Sequence, residues 1–93
     1  MEKRERTERQ LERIVKGFAN HRRIEILRLL QQRPELSVYE ICQLLRISVK
    51  TGSEHIWRLA LAGLVMKRNA GRWVRHRLTD RALGVLTFLR TLE

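Results

Sequence analysis

The chain has 93 residues, with 20 lysines and arginines against 10 acidic residues and a formal net charge of +10. This length suits one domain with a single modest core. The charge favours a polyanion as partner, either nucleic acid or an anionic lipid surface. No stretch approaches the roughly 20 apolar residues that cross a bilayer, and residues 1–6 lack the apolar run of a signal peptide, so we expect a cytoplasmic protein without membrane association. The single Cys42 cannot form an internal disulfide, which fits a reducing compartment.

The chain divides into a charged N-terminal extension, residues 1–10, and one domain, residues 11–93. Acidic and basic residues alternate in the extension, a pattern that supports a solvent-exposed helix weakly. A frayed tail is the alternative. From Leu11 the apolar residues follow the period of an amphipathic helix, at Leu11, Ile14, Val15 and Phe18.

Two further helices follow. Asn20 is a good N-cap for a helix that runs to about Gln32, and Pro34 marks the connection after it. Ser37 and Glu40 have the spacing of a capping box, which predicts the start of a short third helix. The predicted core side chains of these two helices are Ile24, Ile26, Leu27, Leu29, Leu30, Ile41, Leu44 and Leu45.

The chain is organised around residues 48–64, which we interpret as the recognition helix of a helix-turn-helix. Ser48 is the predicted N-cap, and Gly63 stands where a left-handed residue ends a helix. A short, polar and positively biased helix entered from a tight turn suits the major groove of DNA. The apolar face, which is predicted to meet the core, comprises Val49, Ile56, Leu59 and Ala60. The polar face comprises Lys50, Thr51, Ser53, Glu54, His55 and Arg58.

After Gly63 the apolar period changes from helical to two, which predicts a β-hairpin. Residues 64–68 and 72–78 are the predicted strands, with a turn at residues 69–71. A basic hairpin directly after a recognition helix is a wing. Thr79 or Asp80 then caps a last helix, whose apolar residues cover more of its circumference than one small core needs, so we expect a second subunit there.

Positive charge is concentrated on the recognition helix and the hairpin. Between Arg46 and Arg77 there are eight basic residues and one acid, Glu54, so the local balance is 8 − 1 = +7. This concentration favours contact with phosphates over a merely solvated surface. The basic residues are Arg46, Lys50, Arg58, Lys67, Arg68, Arg72, Arg75 and Arg77.

Four stretches, in this order, resemble the ArsR-like winged helix-turn-helix regulators over roughly residues 11–92. They are residues 18–27, 37–45, 48–65 and 71–78, which resemble respectively the opening of the family domain, its third helix, its recognition helix and its wing. The resemblance implies a mostly α fold with a small β-hairpin, in the order α-α-α-α-β-β-α. It also implies a cytoplasmic, nucleoid-associated prokaryotic protein that forms a homodimer through its first and last helices and binds an inverted repeat in double-stranded DNA.

The residue roles follow from the resemblance together with the charge pattern. The family's base-reading positions fall on Val49, Lys50, Thr51 and Ser53. The expected contacts to the DNA backbone are Arg46, Ser48, His55, Arg58, Lys67, Arg68, Arg72 and Arg75. The expected dimer interface comprises Leu11, Val15, Leu83, Leu86, Phe88, Leu89 and Leu92.

Several residues admit two interpretations. Gly52 departs from the β-branched residue usual in the family, and it either permits close backbone approach or weakens the helix by about 1 kcal/mol. His55 either contacts phosphate, as we expect, or packs locally. We expect Trp57 in the core, the junction of helix and wing being the alternative, and Trp73 against its own hairpin. Cys42 is a buried apolar residue or a thiol sensor.

No catalytic or cofactor site is predicted. Metal-sensing relatives carry cysteine pairs or Asp/His sets, whereas here Cys42 is alone and Asp80 has only His76 nearby. The sequence has no Gly-rich phosphate loop and no paired nucleophile and base, so we expect no enzyme. The leading hypothesis is a sequence-specific transcription regulator, whose effector or partner protein the sequence does not identify. The alternatives are a basic module that binds RNA or coats DNA, and a protein-interaction winged helix.

Overall fold

A computed structural model describes residues 5–93, so the first four residues of the predicted extension lie outside the described residues. The described elements follow the predicted winged helix-turn-helix order, which is confirmed. They are α1 (Glu8–Phe18), α2 (His21–Gln32), α3 (Val38–Leu45), α4 (Val49–Leu61), β1 (Val65–Ala70), β2 (Trp73–Leu78) and α5 (Asp80–Arg90).

The first helix begins earlier than predicted, at Glu8 and not at Leu11. The Thr7 hydroxyl accepts a hydrogen bond from the Gln10 backbone N–H at 3.2 Å, and the Gln10 side chain accepts one from the Thr7 N–H at 2.9 Å. This capping box satisfies two backbone donors that the start of a helix leaves free. The last residues of the predicted extension are therefore helical.

The other predicted helix starts are confirmed because each depends on a local side-chain contact. Asn20 accepts from two backbone N–H groups, and Ser37 forms the expected capping box with Glu40. Ser48 accepts from the Thr51 N–H, and Thr79 is the N-cap of α5. Such contacts join residues only two or three positions apart, so the sequence alone predicts them.

The core lies where α2 meets α3, α4 and α5. Of the predicted core residues of α2, Ile26, Leu27 and Leu30 are buried, while Ile24 and Leu29 are only partly buried. Leu44 was expected on the core side of α3, but its side chain is 45% exposed. The largest of the fully buried side chains are Ile26, Leu27, Leu30, Ile41, Leu59 and Leu64.

The turn of the hairpin lies further along the chain than predicted and has two residues where three were expected. β1 runs to Ala70, which pairs with Trp73, while Val65 pairs with Leu78 at the other end. The turn is therefore Gly71–Arg72, with a positive φ of 66° at Gly71 alone, the pattern of a type II′ hairpin turn.

The connection between α2 and α3 holds the root of the hairpin. The Glu35 N–H donates to the His76 carbonyl, and the His76 N–H donates to the Leu36 carbonyl, both at 2.9 Å. His76 is 3% exposed, and its Nδ1 lies 2.9 Å from the same Leu36 oxygen. Because a carbonyl only accepts, Nδ1 carries the proton. The wing is thus joined to the helical core by backbone and side-chain hydrogen bonds.

Candidate nucleic-acid interface

The turn between α3 and α4 brings these helices into close contact. Arg46 has a left-handed backbone, with φ 58°, and its N–H caps α3. Gly52 is buried against α3, where an added Cβ would lie closer than 3.0 Å to the Cys42 Sγ. Close approach, the first of the two interpretations of Gly52, is therefore what the packing requires. The glycine sets how α4 sits on α3 and hence the direction of its outer face.

The first two turns of α4 present polar side chains to solvent. Lys50 and Ser53 are exposed, and within residues 5–93 neither side chain makes a hydrogen bond or ion pair. The Ser48 hydroxyl accepts from the Thr51 N–H at 3.1 Å and lies 3.0 Å from the Thr51 hydroxyl. Lys50 and Ser53 are therefore the side chains with free hydrogen-bonding capacity, while Ser48 and Thr51 are partly satisfied by each other.

Two apolar residues of α4 are more exposed than expected. Val49 is 41% exposed, so its placement on the core face is wrong, although it agrees with an outward role. Trp57 is 52% exposed, which corrects the expectation that it lies in the core. Trp57 follows Lys50 by seven residues, about two helical turns, and so shares its exposed side of α4.

His55 faces α2 and not the solvent side of α4. The Arg23 guanidinium donates to the His55 Nδ1 at 3.3 Å. Burial, and then the positive charge of Arg23, lower the pKa of His55, so the ring is neutral and its Nδ1 can accept. The contact joins the start of α2 to α4. It supports the local-packing interpretation over the expected contact with phosphate.

The wing cations fall into two groups. Lys67 and Arg72 are exposed and make no ion pair within the described residues. Arg68 instead donates to the Glu35 carboxylate at 2.6 and 3.1 Å, and that hydrogen bond lowers the pKa of Glu35. Arg75 donates to the Glu40 carboxylate at 3.2 Å. The expected phosphate contacts of Arg68 and Arg75 therefore compete with carboxylates of the same chain.

The sequence analysis missed two acidic residues, Glu35 and Glu40, that pair with cations of the wing. The +7 balance counted only residues 46–77, whereas these two acids come from before that range and lie against the wing. Including these two acids lowers the local charge balance to 7 − 2 = +5. Arg77 also lies 4.0 Å from Glu35, and Arg58 pairs with Glu54 at 3.5 Å. Within the described residues, the cations of this set without an ion pair are Arg46, Lys50, Lys67 and Arg72.

This arrangement of helix and hairpin has counterparts in known proteins. The family profile described as "Bacterial regulatory protein, arsR family" matches residues 20–67. The chain belongs to the arsR family.

Relatives of this arsR-family chain extend the match. It is 35% identical over 66 residues to the arsenical resistance operon repressor of Escherichia coli K12, a match that covers 71% of this chain and 56% of the relative. A putative arsenical resistance operon repressor of Halobacterium salinarum is 34% identical, over 82% of this chain and 60% of its own length. The chain thus spans little more than half the length of these curated relatives.

Solved structures show the same fold over nearly the whole chain. HlyU from Vibrio cholerae is 30% identical, with a TM-score of 0.80 over 96% of this chain and 97% of HlyU. The homodimeric winged helix-turn-helix domain of a possible ArsR-family regulator from Mycobacterium bovis is 26% identical, with a TM-score of 0.81 over 94% of this chain and 86% of that one. The family and the fold are those of transcriptional regulators.

Cys42 in this arsR-family protein is a buried side chain. It is 2% exposed, and burial raises the pKa of its thiol. Both properties disfavour thiolate chemistry, so they support the apolar interpretation over the thiol sensor. Within residues 5–93 no group of three or more His, Cys, Asp and Glu side chains is placed to hold a metal ion.

Trp73 contacts Tyr39 of α3 edge to face, with ring centroids 5.9 Å apart, and so packs beyond its own hairpin.

Most of the side chains expected at the dimer interface are exposed. They lie on α1, on α5 and just after α5. Leu86 is the exception: it is 4% exposed and belongs to the core of the protomer, which contradicts its assignment to the interface. Leu89 is partly buried against the same core. The exposed side chains of the expected interface are Leu11, Val15, Leu83, Phe88 and Leu92.

Among residues 5–93, no helix is long and apolar enough to cross a membrane.

Proposed function

We propose that this protein is a sequence-specific DNA-binding transcriptional regulator, a repressor, that acts as a homodimer on an inverted-repeat operator. The observation that carries the proposal is the exposed early part of α4, with Lys50 and Ser53 unpaired and the wing cations beside it. The names of the relatives as repressors support the direction of regulation. Action on chromosomal operators would place it at the nucleoid, in the cytoplasm.

The two groups of side chains have different roles in this proposal. Val49, Lys50 and Ser53 read base edges in the major groove, with Thr51 beside them. Arg58, Lys67 and Arg72 hold phosphates and set the register, which fixes orientation without reading sequence. Arg46 and Ser48 lie at the entry to α4, where they border the same groove.

A second subunit covers the apolar side chains of α1 and α5. Leu11 and Val15 are each 49% exposed, and Phe88 is 55% exposed. Apolar side chains repeated along two helices mark a protein interface more often than a free surface. A two-fold interface would also present two α4 helices to successive turns of one face of the duplex.

Selection of bound sequences from a random duplex pool tests the function directly. We expect an inverted repeat whose half-sites are about 10–10.5 bp apart, one helical turn. Lys50→Ala should relax the base preference. Arg72→Ala should weaken binding to all sequences alike and lower the salt slope by about one unit. Arg9→Ala, at an exposed site on α1 outside the proposed DNA and dimer contacts, is the matched control.

Other outcomes would identify the alternatives. Equal binding to any duplex at physiological salt would indicate a module that coats DNA. RNA binding at least tenfold tighter than DNA binding would indicate an RNA-associated module. Affinity for duplex that does not fall with salt would remove the phosphate contacts from the mechanism and favour a protein-interaction domain.

A further inference from the structure

A cleft lies between α1 and the end of α4 and is closed on one side by the start of α5. Its volume is about 570 Å³, within the usual range for small-molecule sites, roughly 300–1,000 Å³. None of the exposed side chains of the proposed dimer surface is among its lining residues. The lining residues of this α1–α4 cleft are Arg6, Gln10, Arg13, Ile14, Lys16, Gly17, Arg58, Leu61, Ala62 and Arg81.

The floor of the cleft is apolar and is formed by close helix packing. An added Cβ at Gly17 would lie closer than 3.0 Å to the Ala62 Cβ, so the glycine lets α1 approach the end of α4. Ile14 and Leu61 flank this contact. Leu61 is 67% exposed, which is high for a leucine and leaves apolar surface open to a ligand.

The walls of the cleft carry positive charge and no acid. Lys16 pairs with Glu12 at 3.0 Å and Arg58 with Glu54 at 3.5 Å, both exposed pairs within one helix and therefore weak. Within residues 5–93, Arg13 makes no ion pair. The cationic lining residues are Arg6, Arg13, Lys16, Arg58 and Arg81.

One of these cations is held in place by the backbone. Arg81 donates from its guanidinium to the Ala62 carbonyl at 2.8 Å, which satisfies a carbonyl at the end of α4. A guanidinium fixed in this way binds an anion with less loss of side-chain freedom than a free one.

We propose that the α1–α4 cleft binds a small amphipathic anion, with its hydrocarbon part on Ile14 and Leu61 and its carboxylate or similar head among the arginines. The lining has both of the required chemistries, an apolar floor and cationic walls without a carboxylate. A phosphate of a duplex would satisfy the walls but would leave the concave apolar floor unfilled. A metal ion would find no acidic ligand in the lining.

The cleft shares Arg58 with the proposed DNA interface. A bound anion that holds Arg58 removes one phosphate contact, so occupancy should weaken DNA binding, and DNA should weaken ligand binding by the same factor. This regulatory step rests on the proposed function, whereas ligand binding itself does not.

Octanoate is a suitable probe, with octylamine as the matched cation, in an amide NMR titration of the full chain. We expect octanoate to shift the Gly17 and Ala62 amides saturably and octylamine to leave them unchanged. Arg13→Gln and Leu61→Glu should each weaken octanoate binding tenfold or more. Both substitutions are at exposed sites, so the fold should persist. Arg9→Gln and Leu44→Glu, exposed and outside the lining, are the controls.

Several results would overturn the proposal. Absence of saturable octanoate shifts, or equal binding by all four variants, would remove the ligand site while leaving DNA binding intact. Shifts of the same amides by a short duplex but not by octanoate would assign the cleft to the DNA interface. Shifts that follow protein concentration alone would assign it to a second subunit. With operator DNA, saturating octanoate should lower affinity at least fivefold for the native chain and not for Leu61→Glu; equal affinity with and without octanoate would refute the regulatory step.

Discussion

The contact between Gly52 and Cys42 predicts a strong coupling between the two positions. Gly52→Ala places a methyl group against a buried sulfur, closer than 3.0 Å. Overpacking of this kind costs about 1–3 kcal/mol, and alanine returns about 1 kcal/mol through its better helix propensity. Because the overlap is severe and the Cys42 side chain is 2% exposed, we expect the upper part of the difference, a net loss of about 1–2 kcal/mol.

Removing the sulfur should reverse the effect. In Cys42→Ala, the atom that remains is the Cβ, at 3.8 Å from the added methyl group, which is an ordinary van der Waals contact. The methyl group then occupies the space that the sulfur left. The double variant should therefore be about as stable as Cys42→Ala or more so, with a coupling energy of about 1–3 kcal/mol.

Urea unfolding of the native chain, the two single variants and the double variant measures this coupling. Protomer concentration is kept fixed, because association would otherwise shift the midpoint. Additive free energies of unfolding, or a Gly52→Ala variant more stable than the native chain, would refute the close-packing explanation. The expected coupling would also explain why a β-branched residue at position 52 is incompatible with Cys42 beneath it.

Three further outcomes are expected. Glu35→Gln should release Arg68, strengthen binding to duplex DNA and steepen its salt slope by up to about one unit; an unchanged slope would mean that Arg68 does not reach phosphate. Burial lowers the pKa of His76 below its usual value of about 6.5, so the unfolded chain binds more protons and the free energy of unfolding should fall as pH decreases from about 7 towards 5. His76→Gln should flatten that dependence in unfolding titrations, and an unaltered slope would contradict it. Leu83→Glu, 43% exposed in the native chain, should shift sedimentation from dimer to monomer, whereas Leu44→Glu, at a site on α3 that is 45% exposed, should not; a dimer in both would place the interface elsewhere.

The sequence predicted those parts of the fold that depend on neighbours a few residues apart. Asn20, Ser37 and Ser48 start their helices through side-chain contacts that span two or three residues. The switch from helical period to period two located the wing. The alternating charges of the extension predict a helix only weakly and do not locate its start, although the Thr7–Gln10 capping box has the same local form as the others.

The parts that the sequence did not predict depend on contacts between distant segments. Arg68 and Glu35 are 33 residues apart, and Arg23 and His55 are 32 apart. No local pattern indicates which basic side chain will meet an acid or a histidine from another element. Trp57 is exposed for a related reason: hydrophobicity alone favours the core, but the residue lies about two turns after Lys50 on the outer side of α4.

The backbone clamp at the base of the hairpin has a consequence for engineering. A two-stranded hairpin attached only at its ends could change its angle to the helices. Here the hydrogen bonds from the Glu35 N–H and to the Leu36 carbonyl fix the hairpin at His76. Only the outer part of the hairpin, towards Gly71, can then change its position to fit a groove of DNA. A wing transplanted from a relative would need residues 33–37 moved with it to keep its angle to α4, so this short connection and the hairpin form a single exchangeable cassette.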